Sequence, residues 1–259
     1  MPDPKTSVWD QIADPLGERI ADDLRRIVRA YEAGDERSQQ RHLGPSQIGT
    51  PCTRCLARHC LGMSIVRQYD DPWCRILGTA GHAWLEEAAA WDNVHVIRDT
   101  ARWKTETRVH PHPDLLPSGG KADLYDGDTF TVIDHKIVGA EPLKKYKRNG
   151  PGQQYRIQAH LYGLGYHRLG IRVENVAVAF WNRGGRLSDL HVWTEPWDVD
   201  VAMGALQRYR TIRDQAEAIG PQIIPLLPAD KSCWDCGGKD VSAEELAVIN
   251  NNPAKPIPA

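Results

Sequence analysis

A chain of 259 residues, 41% hydrophobic and 25% charged, can bury one sizeable core and is too apolar to stay disordered. A formal net charge of −2 excludes a surface coated uniformly with cations, but leaves room for a local basic groove or for bound divalent cations at a site that handles phosphate. No apolar run approaches the roughly 20 residues of a membrane helix, and the opening MPDPKTSVWDQ lacks the basic and apolar segments of a signal peptide, so a cytoplasmic location without membrane contact is expected.

In chain order, residues 14–33 predict a helix with Ile20, Ala21, Leu24, Ile27, Val28 and Tyr31 recurring on one side. The segment HLGPSQIGTPCTRCLARHCLG is a loop entering a short helix, and it carries Cys52, Cys55 and Cys60. Cys74, alone in DPWCRILG, is expected as a buried core thiol. An alanine-rich helix follows over 78–91, with Thr79 as its cap. Residues 94–98 and 102–110 alternate as strands do, and GGKADLYDGDTFTVIDHK then forms a hairpin on its Asp-Gly turn.

The run PLKKYKRNG, four cations among nine residues, is either a solvated loop or a basic patch. Residues 153–170 are helical in pattern despite two mid-helix glycines, Gly163 and Gly165. Strands are expected at 173–182 and 187–194, a long helix at 198–219, and disorder in the polar, Pro-rich tail NNNPAKPIPA. This order describes an α/β fold, a mixed central sheet flanked by helices. The expected organisation is an N-terminal helical segment over 1–45, a main domain over 46–240 and a flexible tail over 241–259.

The hairpin is chemically unusual. Asp134 and Lys136, two apart, share one face of their strand, and Asp123 lies on the neighbouring strand. Two carboxylates held close repel, and burying them is costly unless a cation sits between them. A hard divalent ion such as Mg²⁺ or Mn²⁺ prefers oxygen ligands and would serve, while a nearby lysine could orient water or stabilise charge on a phosphate. Asp-x-Lys alone is weak, since average composition gives roughly one or two Asp/Glu-x-Lys per chain of this size. Its setting strengthens it. His82 and Glu86 share a helical face in GTAGHAWLEE, where Gly78 and Gly81 permit close backbone approach, and Gln158 and Tyr162 share a face in QAHLY.

In order, the set G-x-x-x-H-x-x-x-E, G-G-x-A-D, V-I-D-H-K and Q-x-x-x-Y resembles the PD-(D/E)XK nuclease superfamily, most closely its RecB-type and Cas4-like exonucleases, over residues 46–236. The resemblance implies a restriction-endonuclease-like core and a metal-dependent DNA exonuclease acting on single-stranded ends in recombination, repair or phage replication. It implies His82, Asp123 and Asp134 as metal ligands with the backbone carbonyl of His135, and Lys136 as the residue that activates water. Gln158 and Tyr162 would contact the strand near the scissile phosphate, and Glu86 would lie behind the ligands. Many relatives carry Glu where this chain has Asp134. A recombinase or helicase partner and a phage-encoded protein acting in a bacterial host fit the same picture.

Six cysteines in a reducing compartment point away from disulfides. CxxC pairs flank the core, Cys52 with Cys55 and Cys233 with Cys236, joining the N- and C-terminal segments. Cas4-like relatives hold a [4Fe–4S] cluster on one cysteine before the core and three after it. The distribution here differs, but the resemblance still implies a [4Fe–4S] cluster on Cys52, Cys55, Cys233 and Cys236, with a structural Zn²⁺ as the alternative and Cys60 as a reserve ligand. The alternative function is a non-catalytic DNA-binding module with a structural Cys₄ site.

Overall fold

The computed structural model describes residues 15–34, 43–63, 71–231, 233, 236–238, 241–242 and 246–247. Met1–Gln40 and Arg41–Ala259 are separate units. In the first, α1 (Pro15–Ala33) occupies the span that apolar recurrence predicts.

The second unit is built on a five-stranded sheet in the order β1-β2-β3-β4-β5. The strands are β1 (Trp103–Val109), β2 (Gly120–Asp126), β3 (Thr131–Val138), β4 (Asn175–Asn182) and β5 (His191–Pro196). Neighbours pair antiparallel except β3 and β4, which are parallel. A parallel pair needs a crossover, supplied here by α5 (Ala140–Asn149) and α6 (Gly152–Arg168). The remaining helices are α2 (Pro45–Ile48), α3 (Thr53–Cys60), α4 (Trp73–His95) and α7 (Val199–Ile219). This is the mixed sheet with flanking helices that the sequence predicts.

β4 lies inside the sheet and reads VAVAF, with Val176 to Phe180 all buried, as a strand covered on both faces requires. α6 is buried from Gln158 to Tyr166. Its Leu161 and Leu164 join a core with Ile48, Leu56, Leu206, Ile212 and Ile224. The two glycines inside α6 have a packing reason. A Cβ on Gly163 would stand 2.4 Å from the Trp197 ring, and one on Gly165 2.5 Å from Val109 Cβ.

Several expectations need correction. Residues 94–98 form no strand: α4 continues to His95, whose Nδ1 lies 2.9 Å from the Trp91 carbonyl one turn back. The basic run is not a loop but most of α5, which buries Leu143 and stacks Tyr146 on Phe180 while its cations face outward. β5 begins at His191, because Leu187–Asp189 is a 3-10 turn. Cys74 is exposed, with Arg183 Nη1 at 2.8 Å from its sulfur, and is no core thiol. The tail 250–259 lies outside the described residues. Among the described residues no helix is long and apolar enough to cross a membrane.

Candidate active site and metal centres

The site forms where the hairpin opens. β2 and β3 pair from Asp126↔Thr131 to Leu124↔Ile133, and there the ladder stops. Asp123, next along β2, turns its carboxylate to the gap and accepts the His135 backbone N–H at 2.7 Å. α4 brings His82 to the same carboxylate, with Nδ1 at 3.4 Å from Oδ2. α4 comes this close to β3 because Gly81 has no side chain; a Cβ there would lie 2.9 Å from Ile137 Cγ1 and Cδ1. Gly78, which the sequence credits with the same role, faces open space.

Asp134 is 1% exposed. Its Oδ1 accepts from Gln158 Nε2 at 2.9 Å, and Gln158 is also within 3.3 Å of Tyr162 Oη. Lys136 Nζ lies 2.5 Å from Oδ2 as an ion pair, yet Oδ2 has no well-directed hydrogen bond among the described residues. The ammonium also sits 4.9 Å over the Tyr155 ring. Gln158 and Tyr162, expected to touch a nucleic-acid strand, are both buried, with Gln158 committed to Asp134. Glu86 is exposed on α4.

The electrostatics follow from burial and pairing. Burial pushes the Asp134 carboxyl up to about 6, against the pull of Lys136. Burial also pushes Asp123 up, but the His82 contact, Lys136 and the His135 N–H together hold it below the ordinary range. His82 moves the opposite way: burial lowers its pKa, and contact with Asp123 more than reverses this. Burial of the His135 ring depresses its pKa to about 4, so it is neutral near pH 7; it accepts from Trp181 Nε1 at 3.3 Å.

One further acid is present. One ligand atom each from His82, Glu106 and Asp123 lie within 4.8 Å of one another, a group that does not include Asp134. Glu106, on β1, was not among the residues the sequence singled out. Its visible signal was a charge in the interior of a short strand, T-E-T-R-V, but nothing fixed its register against Asp123. The donor set, two carboxylates and an imidazole, fits a hard divalent ion.

The second centre lies at the start of α3. Cys52, Cys55, Cys233 and Cys236 hold their sulfurs within 4.8 Å of one another, with Cys52–Cys236 and Cys55–Cys233 each at 3.6 Å. Burial and the neighbouring sulfurs push the Cys55 thiol far up, while N–H groups of Asp230 and Cys55 hold Cys52 down in spite of its burial. Four thiolates cannot coexist here without a cation, so this donor set fits a soft or borderline metal. Cys60 is not in the group; it packs in the main core, where burial raises its thiol to about 12. Arg208 of α7 braces the approach, donating to the carbonyls of Thr50 at 2.7 Å and Pro51 at 3.2 Å.

No protein-family model matches the chain, and no curated protein matches it. Among solved structures it is similar to an alkaline exonuclease (LHK-Exo) from Laribacter hongkongensis, with 12% identity and a TM-score of 0.48 over 69% of this chain and 89% of that one. The complex of LHK-Exo with dAMP gives 13% identity and a TM-score of 0.48 over 70% and 90%.

Proposed function

We propose that the chain is a metal-dependent deoxyribonuclease of the PD-(D/E)XK type, hydrolysing phosphodiester bonds at DNA ends and acting on single strands in recombination, repair or phage replication. The observation that supports this reading is the convergence of His82, Asp123, Asp134 and Lys136, from one helix and two strands, where the hairpin opens. A fold gains little by burying two acids beside a lysine and a histidine, and a phosphodiester hydrolase has a use for each. A non-catalytic DNA-binding module leaves the set unexplained.

His82, Asp123, Asp134 and the His135 carbonyl would hold Mg²⁺ or Mn²⁺, which when bound polarises a phosphate oxygen and lowers the pKa of water. Lys136 holds the attacking water by an N–H hydrogen bond and stabilises negative charge as phosphorus becomes five-coordinate. The water oxygen bonds to phosphorus as the ester P–O bond breaks, and as one water O–H bond breaks a proton passes through solvent to the departing oxygen, leaving a phosphate monoester and a hydroxyl. Gln158 fixes the Asp134 carboxylate through Oδ1, and Tyr162 backs Gln158. Both therefore position the acid rather than grip the strand. Lys145, Lys147 and Arg148, exposed on the helix that follows β3, supply a sequence-independent hold on the phosphate backbone.

At the cysteine centre the spacing favours one tetrahedral Zn²⁺ over a cluster. Metal–sulfur bonds of ~2.3 Å arranged tetrahedrally place sulfurs about 3.8 Å apart, close to the two 3.6 Å pairs. A four-iron cubane stands between its cysteines and spreads their sulfurs wider.

The test is digestion of an end-labelled single-stranded oligonucleotide with Mn²⁺, Mg²⁺ or chelator, comparing wild type with Asp134→Ala. Metal-dependent degradation by wild type alone is expected, with a ladder that reads out polarity. No cleavage of single- or double-stranded DNA by folded, metal-loaded wild type would overturn the reading.

A further inference from the structure

Glu106 sits in the site without a role in the ligand set that the family resemblance implies. It lies in the middle of β1, where the ladder pairs Thr105 with Leu124 and Thr107 with Ala122 but skips the position between. That position would set Glu106 against Asp123. The break has a backbone cause: Glu106 has φ +45°, in the left-handed region that side-chain-bearing residues enter at a cost.

Three unfavourable features thus coincide. The backbone is strained, two carboxylates are drawn together, and both are largely removed from water, with side chains 16% and 13% exposed. Lys121 Nζ, 3.4 Å from Glu106 Oε2, is itself about half exposed, so the attraction it supplies is screened by water. His82 cannot compensate for both acids, as it already faces Asp123. A divalent cation among the three would turn the repulsion into attraction. One ligand atom each from His82, Glu106 and Asp123 lie within 4.8 Å of one another, close enough for a single ion to meet all three.

We propose that Glu106 is a ligand of the catalytic metal, so that α4, β1, β2 and β3 all contribute to its coordination. The proposal rests on the metal centre of the nuclease reading and extends it to a residue outside the His-Asp-Asp-Lys set. The φ of Glu106 is the means by which an edge strand turns one carboxylate into the gap left where β2 and β3 part.

The experiment is calorimetric titration of the full chain with Mn²⁺ after chelator treatment, for wild type, Glu106→Gln, Lys121→Gln and Asp123→Asn, with melting of each metal-free protein alongside. Glu106→Gln is expected to weaken Mn²⁺ binding about tenfold or more while leaving the metal-free melting temperature unchanged or higher, since a like-charge contact is relieved. Lys121→Gln should bind Mn²⁺ at least as well as wild type. If Glu106→Gln binds Mn²⁺ within twofold of wild type while Asp123→Asn does not, Glu106 is no ligand and the inference fails alone. If wild type binds no Mn²⁺, or Asp123→Asn binds it unchanged, the metal centre itself fails and the inference with it.

Discussion

Lys136 is held by two unlike contacts, the Asp134 carboxylate at 2.5 Å and the face of the Tyr155 ring at 4.9 Å from its Nζ. Tyr155, Gln158 and Tyr162 recur at i, i+3 and i+7 on α6, so one helical face carries the ring behind the lysine and the amide on the acid. A desolvated cation–π contact is worth roughly 1–2 kcal/mol, about a tenfold effect in rate if it is the ring that aims the ammonium. Tyr155→Phe keeps the ring and is expected to cleave like wild type. Tyr155→Leu should lose about tenfold in kcat with KM little changed. A loss shared by both variants would assign the effect to the phenol hydroxyl instead. The sequence marked Gln158 and Tyr162 through their spacing but could not show which way they point, because a face shared on a helix does not say what that face meets.

At the scale of elements, the hairpin holds the site open, and its turn is fixed chemically. Asp126 is buried, which alone would raise its pKa, yet paired hydrogen bonds from Arg102 Nε and Nη2 at 2.7 Å, with donors from Thr129 and the Asp128 N–H, hold it below 3.8. With the folded pKa below the unfolded one, the native state binds fewer protons. The stabilisation is therefore present above pH 3.8 and disappears as pH falls through the depressed value. Asp126→Asn should cost about 1–3 kcal/mol near pH 7. Urea denaturation should show that gap closing below pH 3.8, and a gap independent of pH would mean that the carboxylate charge is not what holds the turn.

This hairpin was legible in the sequence because an Asp-Gly turn between two alternating runs has few other solutions. The false strand at 94–98 and the missed α5 fail for the converse reason. The β-branched residues after Asn93 have no neighbouring strand among the described residues to pair with, and α4 runs on to His95. In α5 the cations hide an amphipathic pattern of only Leu143 and Tyr146. Glu106 was illegible because residues 110–119 between β1 and β2 leave the register unspecified, and a positive φ has no sequence signature outside glycine.

Within the Arg41–Ala259 unit, the cysteine centre joins the start of α3 to the segment beyond α7, and that junction leads physically to the acids. The Cys52 loop is clamped by Arg208, and its upstream residues lie on α6, where Gln154 Nε2 donates to the Ser46 carbonyl at 2.8 Å. A Cβ on Gly49 would stand 2.7 Å from the Gln154 carbonyl oxygen, so loop and helix touch by backbone. Gln154 is one turn before Gln158, which holds Asp134. A metal that closes the four-sulfur site removes the mutual repulsion of buried thiolates and contributes folding energy of order 10 kcal/mol in isolated small domains, less where a larger core already holds the chain. Cys233→Ser is therefore expected to lower the melting temperature, lose the bound metal and reduce DNA cleavage, while Cys74→Ser, at an exposed thiol outside the centre, changes none of the three. Metal analysis of the wild type purified without oxygen should find about one zinc per chain and no visible colour. Brown protein carrying about four irons would return the centre to a cluster, and would require the sulfurs to stand farther apart than 4.8 Å when it is filled. Full metal content and unchanged stability in Cys233→Ser would show that the second CxxC contributes nothing to the junction, and the path from the cysteines to Asp134 would go with it.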